Sequence, residues 1–354
     1  MAVAHSSAAR RRSRAPSADV RVAVLGASGF AGAELLRLCA GHPSFEVIAV
    51  TAESQAGAGV AELYPSLAGA YADVRFEATS AAAAEGADVV FSALPHGASQ
   101  QLVPELRGRA KVVVDLAADF RLRDPDLYPR WYGEAHHHPE LLADAAFGIP
   151  ELFRADLVGA DLIACAGCYV TAAALALAPL VRAGVVEPAG VVVDAASGVS
   201  GAGRALKPST HFNVVDEDFT AYGLLTHRHT PEIEQATGAQ VLFTPHLAPM
   251  NRGILATVYA RPAVADPNPL EVLAAAYAEE PFAIVDERSP STKATLGSNS
   301  AHLTARHDRR TGWVMALCAL DNLTKGAAGQ AIQCANIALG LDETAGLPAV
   351  GVYP

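Results

Sequence analysis

Apolar runs of strand length alternate with helically spaced stretches along the first half of the chain. Arg21 to Leu25 is apolar enough for a buried strand, turns through Gly26-Ala27-Ser28-Gly29-Phe30-Ala31-Gly32, and enters Ala33 to Leu38, where apolar positions follow a helical period. Glu46 to Val50 predicts the next strand, and Ala87 to Ala93 and Lys111 to Leu116 predict two more. A strand, glycine turn, helix and strand continued by further buried strands is the pattern of a Rossmann-type doubly wound parallel sheet, an α/β architecture. From Ala118 to Leu152 the residues become charged, aromatic and His-containing, and a new apolar strand over Asp161 to Ala164 then leads into Ala166-Gly167-Cys168. A domain boundary is expected there. Beyond it, strands at Val191 to Ala195, Val241 to Pro245, Gly253 to Ala260 and Trp313 to Leu320 predict an α+β domain around a mixed sheet. Lys325-Gly326-Ala327-Ala328-Gly329 opens a last helix, Gln330 to Leu339.

Composition narrows this picture. Of 354 residues 51% are hydrophobic but only 6% aromatic, so the core is built mostly from Ala, Val and Leu, which suits helices packed on a sheet. The longest apolar run, Val170 to Val181, is broken by Thr171 and Pro179. It falls short of the ~20 residues a bilayer requires, so no membrane partner is expected. Net charge is −11; Arg10, Arg11, Arg12 and Arg14 against Asp19 make the first twenty residues basic, leaving a strongly acidic body. That sign excludes a phosphate-backbone binder, and no nucleic-acid partner is expected. The Ser-, Ala- and Arg-rich stretch 1–20 reads as a disordered basic arm; it lacks the apolar core of a secretory signal, although its composition resembles a short organellar transit segment. Five cysteines, an odd number in mostly apolar surroundings, indicate a reducing compartment and a cytoplasmic location.

The glycines at 26, 29 and 32 stand in the first βα turn. There a missing Cβ lets a diphosphate approach the backbone, and the following helix turns free N–H groups toward the anion. Position favours dinucleotide binding over a plain turn. The end of the second strand, Val50-Thr51-Ala52-Glu53-Ser54, leaves NAD and NADP open: Glu53 suits a ribose diol, whereas Thr51 and Ser54 suit phosphate oxygens.

Cys168 lies between a strand and a helical run beginning near Thr171, so the helix dipole is expected to stabilise its thiolate and make it a nucleophile. Cys39, Cys318 and Cys334 read as small buried apolar residues. Cys165-x-x-Cys168 has redox or half-zinc spacing, but no second pair follows, so no metal site is expected; a regulatory Cys165–Cys168 disulfide is an alternative prompted by spacing. A cysteine nucleophile needs a proton-transfer partner. His227 and His229, in Thr226-His227-Arg228-His229-Thr230-Pro231-Glu232, are the candidates, facing one way in an extended stretch before a helix that starts at Thr230-Pro231. His136-His137-His138 reads as a solvated loop. Arg121 and Arg204 adjoin loops that approach the cleft, and either is a candidate clamp for a carboxylate or phosphate.

The glycine turn is followed in order by Leu94-Pro95-His96-Gly97, Ala118-Asp119-Phe120-Arg121-Leu122, Gly167-Cys168-Tyr169 and Ser197-Gly198-Val199-Ser200-Gly201-Ala202-Gly203. Then come His227-Arg228-His229-Thr230-Pro231-Glu232, Pro249-Met250-Asn251-Arg252-Gly253 and Asp321-Asn322-Leu323-Thr324-Lys325-Gly326-Ala327-Ala328-Gly329-Gln330. Over residues 21–354 this set resembles the N-acetyl-γ-glutamyl-phosphate reductase family of the aspartate-semialdehyde dehydrogenase-like superfamily. The resemblance implies NADP(H), held by Gly26, Ala27, Ser28, Gly29, Phe30, Ala31, Thr51, Ser54, Pro95, Ser197, Gly198 and Asn322. It implies Cys168 as nucleophile and His229, in preference to His227, as acid/base, with Arg121, Arg204 and His227 toward the substrate. It further implies an NADP-binding domain over 21–165 completed by 325–354, a catalytic and oligomerisation domain over 166–324, and a homodimer or homotetramer.

The implied reaction is NADPH-dependent reduction of a small-molecule acyl phosphate, N-acetyl-glutamyl 5-phosphate, to the 5-semialdehyde with release of inorganic phosphate, through a Cys168 thioester, in arginine biosynthesis. Two alternatives stay open: a carrier-protein-bound aminoadipyl or glutamyl phosphate as substrate, and a non-catalytic NADP-binding sensor. Ala166 and Val170 stand where the family usually has proline, which is expected to loosen the turn presenting the sulfur.

Overall fold

A computed structural model describes residues 19–353, so the expected arm over 1–20 lies almost wholly outside the described residues. Six strands form one sheet, β1 (Val20–Leu25), β2 (Phe45–Val50), β3 (Val89–Ser92), β4 (Val112–Asp115), β5 (Ala146–Gly148) and β6 (Leu162–Cys165), in the order β2-β1-β3-β4-β6-β5. Every pairing in it is parallel. Its strands are short and apolar because both faces are covered. Val22 and Val24 pack with Leu35, Leu36 and Leu38 of helix α1 (Phe30–Cys39), while Ala23 and Leu25 point the other way, toward Val103 and Leu106 of α2 (Ser99–Leu106). Helix α3 (Pro150–Leu157) connects β5 to β6.

The second sheet holds seven strands, including β7 (Val191–Gly198), β8 (Thr220–Ala221), β9 (Val241–Ala248), β10 (Ile254–Ala260), β11 (Ala283–Val285), β12 (Ala301–Asp308) and β13 (Trp313–Leu320). Their order is β11-β12-β13-β10-β7-β9-β8. It is mixed: β7–β9 and β11–β12 pair in parallel, the others antiparallel. One face alternates Val191, Val193 and Ala195 with Ile254, Ala256 and Val258 against helix α4 (Cys168–Arg182). Every residue of α4 from Tyr169 to Leu180 is buried, because α5 (His229–Thr237) and α6 (Pro269–Ala276) pack on it as well. Alanine at 172, 173, 174, 176 and 178 gives those neighbours room for close approach.

β5, β8, β11 and β12 go beyond the strands expected from sequence. β12 is hidden by its own alternation: Ala301, Leu303 and Ala305 face the core, but His302 between them and Arg306 and Asp308 after them read as loop. The closing helix α7 (Gly329–Ala338), preceded by a π turn over Thr324–Ala328, packs its Ala331, Ile332 and Ala335 into the α1 face of the first sheet. No helix among the described residues is long and apolar enough to cross a membrane.

Candidate active site

β1 and β3 are neighbours whose following helices leave on opposite faces of the sheet, so a crevice opens beyond their carboxyl ends, where open α/β sheets bind ligands. Gly26 leaves β1 with a φ of 75°, and a Cβ there would lie 2.5 Å from the Ala93 carbonyl oxygen. Phe30, Ala31 and Gly32 open α1 with N–H groups that have no intrahelical acceptor, Ala33 being the first to bond back, to Gly29. The cleft holds about 620 Å³ and is bordered by Ser28, Gly29, Phe30, Ala31, Ser54, Pro95, Asn322 and Arg204. A bare backbone turn with unsatisfied donors at the foot of such a cleft fits the diphosphate of a nicotinamide dinucleotide.

Some expected cofactor contacts face elsewhere. Ala27 and Thr51 are fully buried; Ala27 N–H donates to the Thr51 carbonyl at 2.8 Å, and the Thr51 hydroxyl accepts Gly26 N–H at 3.4 Å. Both therefore shape the turn from behind. Gly198 lies beneath the Asn251–Arg252 backbone, where a Cβ would be 2.6 Å from the Asn251 carbonyl oxygen. Ser197 is buried, donates to the Gly198 carbonyl at 3.1 Å and borders a different cavity. Asn322 borders the cleft but its side-chain amide is occupied, accepting Gly253 N–H at 2.7 Å and donating to Ser200 at 3.0 Å.

That second cavity, about 460 Å³, is walled by Tyr169, Lys207, Thr210, Val214, Tyr222 and His227 among others. Cys168, Gly201, Arg228 and His229 border both spaces. The thiol and one imidazole thus stand at the junction of a dinucleotide cleft and a smaller pocket.

Local structure explains how they meet. α4 begins at Cys168 itself, not near Thr171, with Gly167 as its N-cap. No proline flanks Gly167-Cys168-Tyr169, yet the turn is held: Thr171 N–H donates to the Gly167 carbonyl at 2.9 Å, and Gly167 N–H donates to Glu232 at 3.3 Å. A Cβ on Gly167 would fall 2.2 Å from His229 Nε2, and one on Gly326 would fall 2.7 Å from the Cys168 Cβ. Glycine at both positions lets the imidazole and the π turn pack directly on the cysteine loop.

The expected thiolate is corrected by burial. Desolvation pushes the Cys168 thiol up to about 11, and the Tyr169 N–H and the Arg121 guanidinium only partly oppose it. Burial also holds His229 well below its ordinary value, aided by His227, Arg121 and Arg228. The resting pair is a neutral thiol and a neutral imidazole, one proton donor and one acceptor. His227 is lowered to about 4 by burial and by Arg228, and its Nδ1 accepts the His229 backbone N–H at 3.2 Å, which leaves its proton on Nε2.

α5 starts at His229, so Thr230, expected ahead of the helix, lies with Pro231 inside its first turn. That register puts Glu232 on the His229 face. Sequence reasoning gave Glu232 no role, although its spacing from His229 is visible. The carboxylate is fully buried and accepts from Arg121 at 3.3 Å, from the Tyr132 hydroxyl at 3.1 Å and from Gly167. Arg121 is therefore no free clamp: Nη1 is held by Glu232 and Nη2 donates to the Leu116 carbonyl at 2.7 Å. Of the residues expected toward substrate, His227 borders the second cavity, whereas Arg204 borders the dinucleotide cleft instead. Lys207, further along the same loop, is a cation of the second cavity that the sequence did not single out.

Two loop readings also change. His136 is buried against Phe120 and Tyr128, with its Nδ1 accepting His138 N–H at 3.0 Å, so it is not solvated. Cys165 is buried at the end of β6 with its sulfur against that of Cys334, in a different cluster from Cys168, which removes the structural basis of a Cys165–Cys168 switch.

Comparison with known families decides the assignment. The description "Semialdehyde dehydrogenase, NAD binding domain" matches residues 21–160, and "Semialdehyde dehydrogenase, dimerisation domain" matches residues 168–322. The chain belongs to the semialdehyde dehydrogenase family. Among its relatives, a protein of Desulforudis audaxviator named N-acetyl-gamma-glutamyl-phosphate reductase is 47% identical over 346 residues, covering 95% of this chain and 100% of that one. Another of that name, from Salinispora arenicola, is 52% identical over 340 residues, covering 95% and 99%. Solved structures show the same semialdehyde dehydrogenase fold. Aspartate semialdehyde dehydrogenase II from Vibrio cholerae aligns over 92% of this chain and 99% of its own with a TM-score of 0.67 at 16% identity. The Candida albicans enzyme, solved with NADP, aligns over 90% and 98% with a TM-score of 0.65 at 17% identity.

Proposed function

We propose that this semialdehyde dehydrogenase carries out NADPH-dependent reductive dephosphorylation of N-acetyl-glutamyl 5-phosphate, yielding N-acetyl-glutamate 5-semialdehyde and inorganic phosphate in arginine biosynthesis. The observation that carries the reading is a thiol beside a neutral imidazole at the junction of the dinucleotide cleft and the second cavity. In the relatives' shared name the substrate is the same acyl phosphate.

Residues 21–165 with 325–354 act as the cofactor domain and 166–324 as the catalytic domain. The Cys168 thiol gives its proton to His229 as the sulfur attacks the acyl carbon, the C–O bond to phosphate breaks, and a thioester forms. Coupling proton transfer to attack answers a thiol near 11, because free thiolate is scarce at neutral pH. Gly29, Phe30 and Ala31 would hold the dinucleotide's diphosphate, and the nicotinamide, when bound, would supply the hydride that reduces the thioester. The proton held on His229 is delivered to the developing alkoxide, which first-turn N–H groups of α4 also stabilise. Collapse breaks the C–S bond, returns the proton to sulfur and releases the aldehyde. Glu232 fixes the loop by holding Gly167 and Arg121. Partly exposed Leu255, Tyr259, Met315 and Leu317 on the outer face of the second sheet support a homodimer or homotetramer, and five free cysteines support a cytoplasmic setting.

The test is an assay in the oxidising direction, comparing N-acetyl-glutamate semialdehyde with aspartate semialdehyde, NADP with NAD, and phosphate present with phosphate omitted. The reading requires the acetylated substrate, NADP and phosphate together; equal turnover of both aldehydes, or turnover indifferent to phosphate, overturns it.

A further inference from the structure

Arg204 is a half-buried guanidinium that has no carboxylate partner among the described residues of a chain with net charge −11. A half-exposed cation with no carboxylate partner is free to receive an anionic group of a ligand. Three arginines border the dinucleotide cleft. Arg121 is held by Glu232, and Arg228 sits by His227 and His229, bordering both cavities with its guanidinium 5.8 Å from the Tyr132 ring centre. Arg204 belongs to the other end. It lies close enough to Tyr64 for its charge to act on that hydroxyl, and the hydroxyl itself donates to the Ser28 carbonyl of the glycine turn at 2.7 Å. Glu53 and Ser54, which follow β2, border the same cleft, as does Thr79, whose hydroxyl lies 3.0 Å from that of Thr51.

A dinucleotide laid on this turn places its adenosine ribose at the end of β2. There Glu53 repels a 2′-phosphate and two hydroxyls alone do not offset it, while the diphosphate is met by the N–H groups opening α1. We propose that Arg204, reaching over from the catalytic domain, is the specificity-determining residue that binds the cofactor's 2′-phosphate and sets preference for NADP over NAD. This deepens the function proposed above and rests on its cofactor reading. It also reassigns Arg204 from substrate to cofactor.

The experiment is calorimetric binding of 2′,5′-ADP and of ADP to the wild type, Arg204→Ala and Arg204→Lys. Loss of a charge-assisted phosphate contact predicts that Arg204→Ala weakens 2′,5′-ADP about 10- to 100-fold and changes ADP less than about twofold. Arg204→Lys keeps the charge and recovers part of the preference. If the wild type prefers 2′,5′-ADP and Arg204→Ala prefers it equally, this inference fails and the NADP reading stands. If the wild type binds both ligands equally, both fail. Parallel weakening of the two ligands places Arg204 on the diphosphate and also overturns the inference.

Discussion

Gly167→Ala adds a single methyl group against the imidazole proposed as the general acid/base. The backbone at Gly167, with φ −65° and ψ 152°, is open to any L-residue, so no conformational strain arises. Ala in place of Gly at an N-cap costs at most about 1 kcal/mol, a shift of about 1–2 °C in melting temperature for a chain of this size. The new carbon, however, falls 2.2 Å from His229 Nε2, where non-bonded atoms require about 3.5 Å. The ring has to retreat by about 1 Å or turn away, and Tyr169 and His227 already pack against it. Displacing a general acid/base by that distance predicts a loss of about 10²- to 10⁴-fold in kcat/KM for phosphate-dependent oxidation of the semialdehyde. Steady-state kinetics beside thermal melts separate the two effects. A variant with kcat/KM within threefold of wild type and an unchanged melt would show that His229 does not act where the structure holds it.

Other outcomes follow from the buried ionisable groups. With the thiol at about 11, alkylation of Cys168 by iodoacetamide in the free enzyme should climb about tenfold per pH unit from 7 to 10; a rate already flat at neutral pH refutes the burial argument. Glu232→Gln leaves Arg121 buried without its counter-charge and should cost about 3–5 kcal/mol in denaturant unfolding, and a loss below about 1 kcal/mol contradicts the pairing. Glu34 is held at about 2 against an ordinary 4.5 by Arg37 and Arg252, which outweigh its burial. Its folded value lies below its unfolded one, so its stabilisation is fully present above pH 4.5 and disappears as pH falls toward 2. The melting gap between wild type and Glu34→Gln should accordingly be wider at pH 7 than at pH 3.5, where about half of it persists, and a gap independent of pH contradicts it.

The parallel sheet was readable because Val22, Val24, Val89, Val90 and Val112 to Val114 stand in strands buried on both faces, whose apolar runs need no partner to be seen. The place of Cys168 at a helix N-terminus was readable from the strand before it and the helical run after it. The protonation of its thiol was not, because the number of atoms enclosing a sulfur depends on segments such as Gly326 and His229 that are distant in the chain. The Glu232–Arg121 and Glu151–Lys325 pairs were equally hidden, joining residues 111 and 174 positions apart. Thr51 misled for a related reason. A hydroxyl at a strand end suits a phosphate or a backbone N–H, and only the fold of the glycine turn decides that Gly26 takes it.

The most direct measurement is the mass of the Cys168 peptide after rapid quenching of enzyme mixed with N-acetyl-glutamyl 5-phosphate and no reduced cofactor. The account predicts one N-acetyl-glutamyl group on Cys168, lost when NADPH is added, absent in Cys168→Ala and formed slowly in His229→Asn. Full turnover with an unmodified sulfur, or an acyl group on another residue, would contradict it.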